Sequence, residues 1–422
     1  MRKVTFWLLW LLVFSVPWEL AFAVSNVGSM SRLLGIVTAA TGLLTAMVSG
    51  RVRRPGVIVC LSVAFTLLSV SSLIWSISPG DTINRSFQYV QLLIVAWLVR
   101  ELARTREKRQ SLMAAYCLGG YVSIAPLMMN FISGQDIGDD LRYSANNLDA
   151  NDLGVTLAIG IPMAWYLFLD RARLLRTHGA IYVPLAVLAI LLTASRGAFL
   201  AGLVALSIIP ITLPRRSFRS AALSTGVVIA AAALAAFIVP ESSWTRVFTV
   251  TEVVTGGTMS GRVQIWEAGL QVFQERQMLG AGAGAFETAV EPLVKRIESH
   301  NVFLAILVEQ GIVGVVVFGA LLAACAICVY RLPPLERKVF GVIGLTCLVG
   351  GMSLSRQNHK TTWLIFGLIS AQSVVSSARA RSQSRHVRAE LDVHGTTVLM
   401  LQGDEPLLPQ RPSVNTVVRP HA

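Results

Sequence analysis

The sequence predicts an all-α, polytopic integral membrane protein with about 12 transmembrane helices. Of its 422 residues, 54% are hydrophobic and 14% are charged. The mean hydropathy of +0.63 means far too much apolar surface for one soluble core. Apolar runs close to the ~20 residues that cross a bilayer recur along the chain. They lie at 4–24, 33–49, 57–75, 87–102, 111–133, 152–169, 179–194, 197–213, 220–239, 302–330, 339–355 and 361–377.

The distribution of charge predicts the orientation of these helices. With the N-terminus in the cytoplasm, every inner connection is rich in arginine, whereas the long alternate connections carry the acids. The inner connections contain the basic segments 51–54, 100–109, 171–176, 215–219 and 331–338. Because basic residues collect in cytoplasmic loops, both termini are predicted to be cytoplasmic. Most of the formal net charge of +13 then orients the helices, and nucleic acid is excluded as a partner.

The largest predicted periplasmic loop spans 240–300. Val263, Trp266, Leu270 and Phe273 recur at helical spacing within it, which predicts an amphipathic helix from Arg262 to Gln277 near the membrane. A glycine-rich run at 280–286 follows. No Gly-Lys-Ser/Thr sequence comes after it, so a helix end and tight turn are favoured over a phosphate-binding loop. The second long outer connection, 134–151, is predicted to be irregular.

The chain divides into two predicted parts. Residues 1–377 form the transmembrane domain, which includes the loop 240–300. Residues 378–422 form a cytoplasmic tail that begins with basic residues and continues as polar, proline-containing sequence. That composition is typical of disorder beside a membrane surface.

Two arginines lie on the predicted outer side, where the topology does not account for them. Arg196 stands between two apolar runs with almost no loop around it. Its guanidinium requires a carboxylate or phosphate, or it contacts a lipid headgroup. Arg262 begins the amphipathic helix, where a cation opposes the helix dipole, although an ordinary solvated arginine is the alternative.

His300 ends the large loop and immediately precedes an apolar run, which places an imidazole at the membrane surface. Such a group can titrate near neutral pH, or can simply anchor a helix. Together with Arg196 and Arg262, it suits a reaction at a diphosphate: the arginines neutralise the leaving group and the histidine takes a proton. Glu309, nine residues further along, is expected to hold a neighbouring helix. No acid or histidine cluster has metal-ligand spacing, so neither a metal nor another cofactor is expected.

The motifs from Ser195 to Gly314 resemble the O-antigen ligase and O-antigen polymerase family of bacterial envelope glycosyltransferases. Shorter matches occur at Trp75-Ser76-Ile-Ser-Pro79 and 146–151. The main motifs are Ser195-Arg196-Gly197, Gly261-Arg262 with Trp266, Leu279-Gly280-x-Gly282-x-x-x-Phe286, and His300-Asn301 with Leu304, Glu309, Gly311 and Gly314.

The resemblance implies a metal-independent, inverting enzyme of the bacterial inner membrane, with its active site on the periplasmic face. Such an enzyme transfers a glycan from undecaprenyl diphosphate to an acceptor. By matching position, Arg196 and Arg262 would bind the donor diphosphate and His300 would activate the acceptor hydroxyl. A ligase, with lipid A-core as its acceptor, is favoured slightly over an O-antigen or exopolysaccharide polymerase, which joins lipid-linked repeats.

A transporter of lipid-linked oligosaccharide is the alternative from a different functional class. Its arginines would bind the substrate without any bond being made. The sequence shows no inverted repeat and no paired broken helices, and the single large loop on one side favours a one-sided reaction.

Overall fold

A computed structural model describes residues 1–19, 30–50, 54–134, 142–145, 148–213, 239–241, 244 and 262–373. Its elements are helices throughout these ranges. In chain order they are α1 (Arg2–Ser15), α2 (Met30–Ser49), α3 (Val57–Ser71), α4 (Pro79–Leu102), α5 (Arg106–Ile132), α6 (Ala150–Phe168), α7 (Arg173–Leu192), α8 (Arg196–Leu206), α9 (Ile208–Thr212), α10 (Arg262–Glu275), α11 (Phe286–Val290), α12 (Val302–Tyr330), α13 (Pro334–Gly351) and α14 (360–373).

Five of the described helical segments are long and apolar enough to cross a membrane. They are Ser31–Ser49, Val57–Ile74, Arg106–Ile132, Arg173–Leu192 and Val302–Tyr330. The all-helical, multi-pass membrane class is therefore confirmed. The count of about 12 spans and the periplasmic position of the large loop remain predictions. The predicted tail, 378–422, and all but Val239 of the predicted span 220–239 lie outside the described residues.

Connections that the charge pattern assigns to the outer side meet at one end of the helices. The outer loop residue Tyr143 donates its backbone N–H to the Leu192 carbonyl oxygen at 3.2 Å, and the Ser299 and Ser355 hydroxyl oxygens lie 2.8 Å apart. We call this end the site end. The helical order is therefore consistent with the predicted alternation of connections.

Connections with clustered arginines meet at the opposite end, which we call the basic end. Arg106 contacts Asp170 at 3.3 Å, linking the start of α5 to the connection after α6. Lys338 donates to the Ile211 carbonyl oxygen at 2.9 Å, linking the start of α13 to the end of α9.

Close helix packing holds α6 in place, and α6 carries several of the polar residues described below. Tyr182 of α7 is fully buried and donates its hydroxyl to the Leu157 carbonyl oxygen of α6 at 3.2 Å. A Cβ atom at Gly160 would lie 2.1 Å from the Tyr182 hydroxyl oxygen. Small residues of this kind let membrane helices approach closely, so α6 and α7 pack as a tight pair.

The amphipathic helix predicted in the large loop is confirmed as α10. It buries Ile265, Ala268 and Gly269 against a small apolar cluster that includes Phe286 and Leu304. Leu270, predicted to lie on the apolar face, is instead 48% exposed. The buried stripe is shifted because the helix packs against α12 of the same chain as well as lying near the predicted membrane surface.

The long apolar helix α12 is interrupted at Gly311, whose φ of 63° and ψ of −161° are not helical. The backbone N–H groups of Ile312 and Val313 donate instead to the carbonyl oxygens of Gln277 and Met278. At 1.5 Å per residue, Gly311 lies about 13 Å below the start of α12. The segment after α10 therefore reaches well along α12, and the protein itself satisfies the freed backbone groups, as the interior of a membrane requires.

Candidate functional site

Arg196, Arg262 and His300, the three residues singled out from the sequence, are brought together by the fold. Each lies at the N-terminal end of a helix: Arg196 begins α8, Arg262 begins α10, and His300 precedes the Asn301 cap of α12. Asp149, the cap of α6, is the fourth member of the group. Helix N-termini carry partial positive charge, so their convergence favours an anionic ligand.

Arg196 follows a sharp turn between α7 and α8. Ala194 has a φ of 49°, which is uncommon for a residue with a side chain. Ser195 then caps α8, because its hydroxyl oxygen accepts the Ala198 N–H at 3.3 Å, and it donates to Asn151 Oδ1 at 2.8 Å. The turn thus fixes Arg196 against the start of α6.

Arg262 is half-buried at the start of α10. Burial lowers the pKa of Arg262, and the nearby guanidinium groups of Arg196 and Arg142 lower it further, while Asp149 raises it. An arginine has an ordinary pKa so high that it stays charged here. The lowered pKa therefore reflects burial and neighbouring positive charge, and the Arg262 side chain remains charged.

His300 is held in a strained backbone conformation, with a φ of 50°. Trp266 of α10 donates to the carbonyl oxygen of the preceding Ser299 at 3.0 Å, and Asn301 caps α12 through the N–H groups of Phe303 and Leu304. Within the part of the chain that the structure describes, Ala194 and His300 are the non-glycine residues with positive φ. Strain of this kind is typical of functional sites.

The His300 imidazole is in its neutral form near pH 7. Burial lowers its pKa, the charge of Arg262 lowers it further, and Asp149 acts in the opposite direction. Its Nδ1 atom is buried and has no hydrogen-bond partner among the described residues. The ring is therefore suited to accepting a proton from a ligand.

Sequence reasoning missed two members of this group, Arg142 and Asp149. Arg142 donates to Asn151 Oδ1 at 2.9 Å and to the Thr193 carbonyl oxygen at 3.3 Å. The weak motif at 146–151 was the only signal in the sequence that pointed to this region. We call Arg142, Asp149, Arg196, Arg262 and His300 together the histidine site.

The glycine-rich run after α10 is a packing loop, as the sequence indicated. Its N–H groups are occupied by the protein: Ala281 donates to the Val308 carbonyl oxygen and Gly282 to that of Glu309, both at 2.8 Å. The buried Glu309 side chain accepts the N–H groups of Gly284 and Phe286. Glu309 therefore holds this loop, rather than only a neighbouring helix, and the occupied N–H groups do not form a phosphate-binding loop.

Two apolar grooves lie on either side of Phe303, close to His300 in the chain. One, of about 440 Å³, runs between α12, α13 and α14 from Val302 to Tyr330. The other, of about 310 Å³, lies between α10 and α12 and includes Trp266. Both are lined mainly by apolar side chains.

Arg356 and Lys360 were also missed: Arg356 lies in the short predicted outer connection between α13 and α14, and Lys360 begins α14. A basic pair there contradicts the simple rule that inner connections carry the positive charge, and this exception was the available signal. Each cation has its own acid: Arg356 contacts Asp152 at 2.7 Å, and Lys360 contacts Glu19.

Comparison with protein families finds a match over part of the chain. The family described as "O-Antigen ligase" matches residues 181–319. This segment contains Arg196, Arg262 and His300, so the resemblance found in the sequence is confirmed over the part that carries its main motifs. A comparison with curated proteins finds no match.

Proposed function

We propose that this chain is an inverting O-antigen ligase, because residues 181–319 match the O-antigen ligase family, whose members are membrane glycosyltransferase-like enzymes. In this proposal it transfers a glycan from undecaprenyl diphosphate to lipid A-core on the periplasmic face of the inner membrane. The observation that carries the proposal is the convergence of Arg196, Arg262 and His300 at the site end.

The arginines supply the positive charge that a diphosphate leaving group needs. The histidine site contains three guanidinium groups and one carboxylate; burial lowers the pKa of Arg262, and the charges of Arg196 and Arg142 lower it further. An anionic ligand relieves this repulsion. Guanidinium groups can also grip phosphate oxygens through two parallel hydrogen bonds, which fixes the leaving group as its charge develops.

His300 acts as the general base. The acceptor hydroxyl oxygen attacks the anomeric carbon of the donor glycan from the face opposite the diphosphate, while the imidazole takes the hydroxyl proton. The bond between the anomeric carbon and the diphosphate oxygen breaks, and its electron pair leaves with the diphosphate. Attack from the opposite face inverts the anomeric configuration. A neutral imidazole is required, in agreement with the lowered pKa of His300.

The paired apolar grooves support a reaction between two lipid-linked substrates. One groove is lined by Val302 and the other by Asn301, the two residues that follow His300 in the chain. A donor and an acceptor that each carry a lipid need two such surfaces. A transporter of one lipid-linked oligosaccharide needs only one.

Metal independence is part of the proposal. The described residues contain no group of three or more His, Cys, Asp or Glu side chains that could hold a metal ion. Charge stabilisation at the diphosphate is assigned to Arg196 and Arg262 instead, which is the role a metal would otherwise have.

The proposal is tested with the purified full-length protein and radiolabelled undecaprenyl-diphosphate glycan. One reaction receives lipid A-core and a second receives only more donor. We expect labelled lipid A-core in the first reaction. Longer lipid-linked glycan in the second, without labelled lipid A-core in the first, would instead identify a polymerase, which uses the same donor chemistry. Absence of any transfer product would contradict both.

A further inference from the structure

A polar cavity of about 180 Å³ lies beside the histidine site and is separate from it. At ~30 Å³ of liquid per water molecule, it has room for about six waters, a space suited to one sugar ring. Its polar lining comes mainly from the start of α6 and the connection before α14: Asp152, Thr156, Arg356, Asn358, His359 and Lys360.

The cavity is built around a buried arginine. Arg356 is 3% exposed, and its guanidinium donates to Asp152 Oδ1 at 2.7 Å and to Thr156 Oγ1 at 3.0 Å. Arg356 Nε and Asn358 Oδ1 are buried and have no hydrogen-bond partner in the described part of the chain. The residues beside the cavity thus keep an unpaired donor and an unpaired acceptor among the described residues. Leaving buried polar atoms unpaired is costly, so a ligand that pairs with them is favoured.

Charge within the cavity is balanced, unlike that of the histidine site. Arg356 pairs with Asp152, and Lys360 pairs with Glu19. His359 lies 3.7 Å from Asp152, and burial lowers its pKa, so it is neutral near pH 7. A neutral cavity lined by carboxylate, amide, imidazole and guanidinium groups matches the hydroxyl groups of an uncharged sugar better than it matches a phosphate.

Two features link the segments that line the cavity to the segments of the histidine site. Ser355 directly precedes Arg356 in the chain, and Ser299 directly precedes His300. The hydroxyl oxygens of these two serines lie 2.8 Å apart. Asp152 is also one helical turn from Asp149, the carboxylate that acts on the pKa of His300. The lining of the cavity is therefore linked through these two segments to the residues that surround His300.

We propose that this cavity binds a neutral sugar ring of the acceptor glycan and presents its hydroxyl group to His300. The inference rests on the proposed function and adds to it the chemical class of group that the acceptor side recognises. Asn358 and His359 bind and orient the acceptor, whereas the donor is held by the histidine site.

The test measures the transfer rate first against acceptor concentration and then against donor concentration. The acceptor used is the one, lipid A-core or lipid-linked glycan, that gives product with the unaltered protein. In His359→Ala and Asn358→Ala, we expect the acceptor KM to rise about tenfold, the value of one or two lost hydrogen bonds. Donor KM should stay within about twofold of the unaltered protein, because only the acceptor contact is removed. His178→Ala is the matched control, since His178 is also half-buried but lies near the basic end of α7.

A second arm uses the unaltered protein and needs no variant to fold. The free oligosaccharide released from the acceptor lipid should compete with the acceptor, and inorganic phosphate at the same concentration should not. An unchanged acceptor KM in well-folded His359→Ala and Asn358→Ala, or competition by phosphate alone, would overturn the sugar site while leaving transfer itself intact. Failure of the unaltered protein to form any product would overturn the proposed function as well.

Discussion

Arginines at the two ends of the molecule have different surroundings. At the basic end, Arg104 contacts Glu101 at 2.8 Å and Arg106 contacts Asp170 at 3.3 Å, so carboxylates offset the positive charge. In the histidine site, three guanidinium groups share the neighbourhood of Asp149, and two nearby backbone positions have an uncommon positive φ. Charge at the basic end is explained by helix orientation and local pairing. In the histidine site the three guanidinium groups outnumber the one carboxylate, and this excess of positive charge favours an anion.

The largest effect that would distinguish the two ends is expected from His300→Ala. Removing a positioned base should lower the transfer rate by roughly 10²- to 10⁴-fold while leaving donor binding nearly intact. The control is His178→Ala, near the basic end, which should retain normal turnover. Single-turnover transfer and lipid-donor affinity are measured on the same preparations. Near-normal transfer by a folded His300→Ala protein would leave His300 as an interfacial anchor and would favour the transporter alternative.

The pH dependence of transfer sharpens the assignment of the base. His300 accepts a proton only when neutral, so the rate should fall on the acid side by about tenfold per pH unit below its pKa. Because burial and Arg262 lower that pKa, the midpoint should lie below the ordinary value of about 6.5. Asp149 raises the pKa of His300, so Asp149→Asn should move the midpoint to still lower pH. If the midpoint of the fall in rate at acid pH were the same in Asp149→Asn as in the unaltered protein, a group other than His300 would be responsible for it.

Gly311 tests whether the interruption of α12 is needed for the fold. Its conformation is one that essentially only glycine adopts, and a Cβ atom there would lie 2.3 Å from the Met278 carbonyl oxygen. We expect Gly311→Ala to lower stability by about 1–3 kcal/mol or more. Gly319→Ala in the same helix is the control, because its Cβ would meet nothing within 4 Å. Thermal unfolding in detergent compares the two, and equal melting temperatures would contradict the observed break.

The smallest expected effect is that of metal removal. If Arg196 and Arg262 stabilise the leaving diphosphate, transfer should be unchanged, within about twofold, after treatment with EDTA. The assay is repeated with added Mg²⁺ and Mn²⁺ to detect a stimulation that chelation alone could conceal. A strict requirement for a divalent cation would assign the charge stabilisation to a metal rather than to the arginines.

Much of the fold was predictable because hydrophobic runs and clustered arginines report directly on membrane helices. Arg196, Arg262 and His300 could be selected because each lies at a helix boundary on the predicted outer side. The break at Gly311 could not be predicted, because the run 302–330 is apolar apart from Glu309 and Gln310, and the carbonyl groups that accept the freed N–H groups belong to the distant residues Gln277 and Met278.

The polar residues that surround the site were harder to find. Arg142 lies in an irregular outer loop, and nothing local shows that it reaches Asn151 and Thr193. Arg356 lies in a short connection between two apolar runs, and its partner Asp152 is about 200 residues away in the sequence. Contacts of this kind depend on how the helices pack, which hydrophobic periodicity does not determine.

Equilibrium binding of labelled undecaprenyl diphosphate to the purified protein tests the central claim most directly. Arg262→Ala should weaken binding roughly 10- to 100-fold, the value of lost charge-assisted hydrogen bonds. Arg262→Lys should recover only part of the affinity, because lysine lacks the planar fork. Arg104→Ala at the basic end, as the matched control, should bind like the unaltered protein. Equal affinity of the Arg262→Ala and Arg104→Ala proteins would contradict the assignment of the histidine site as the diphosphate-binding centre.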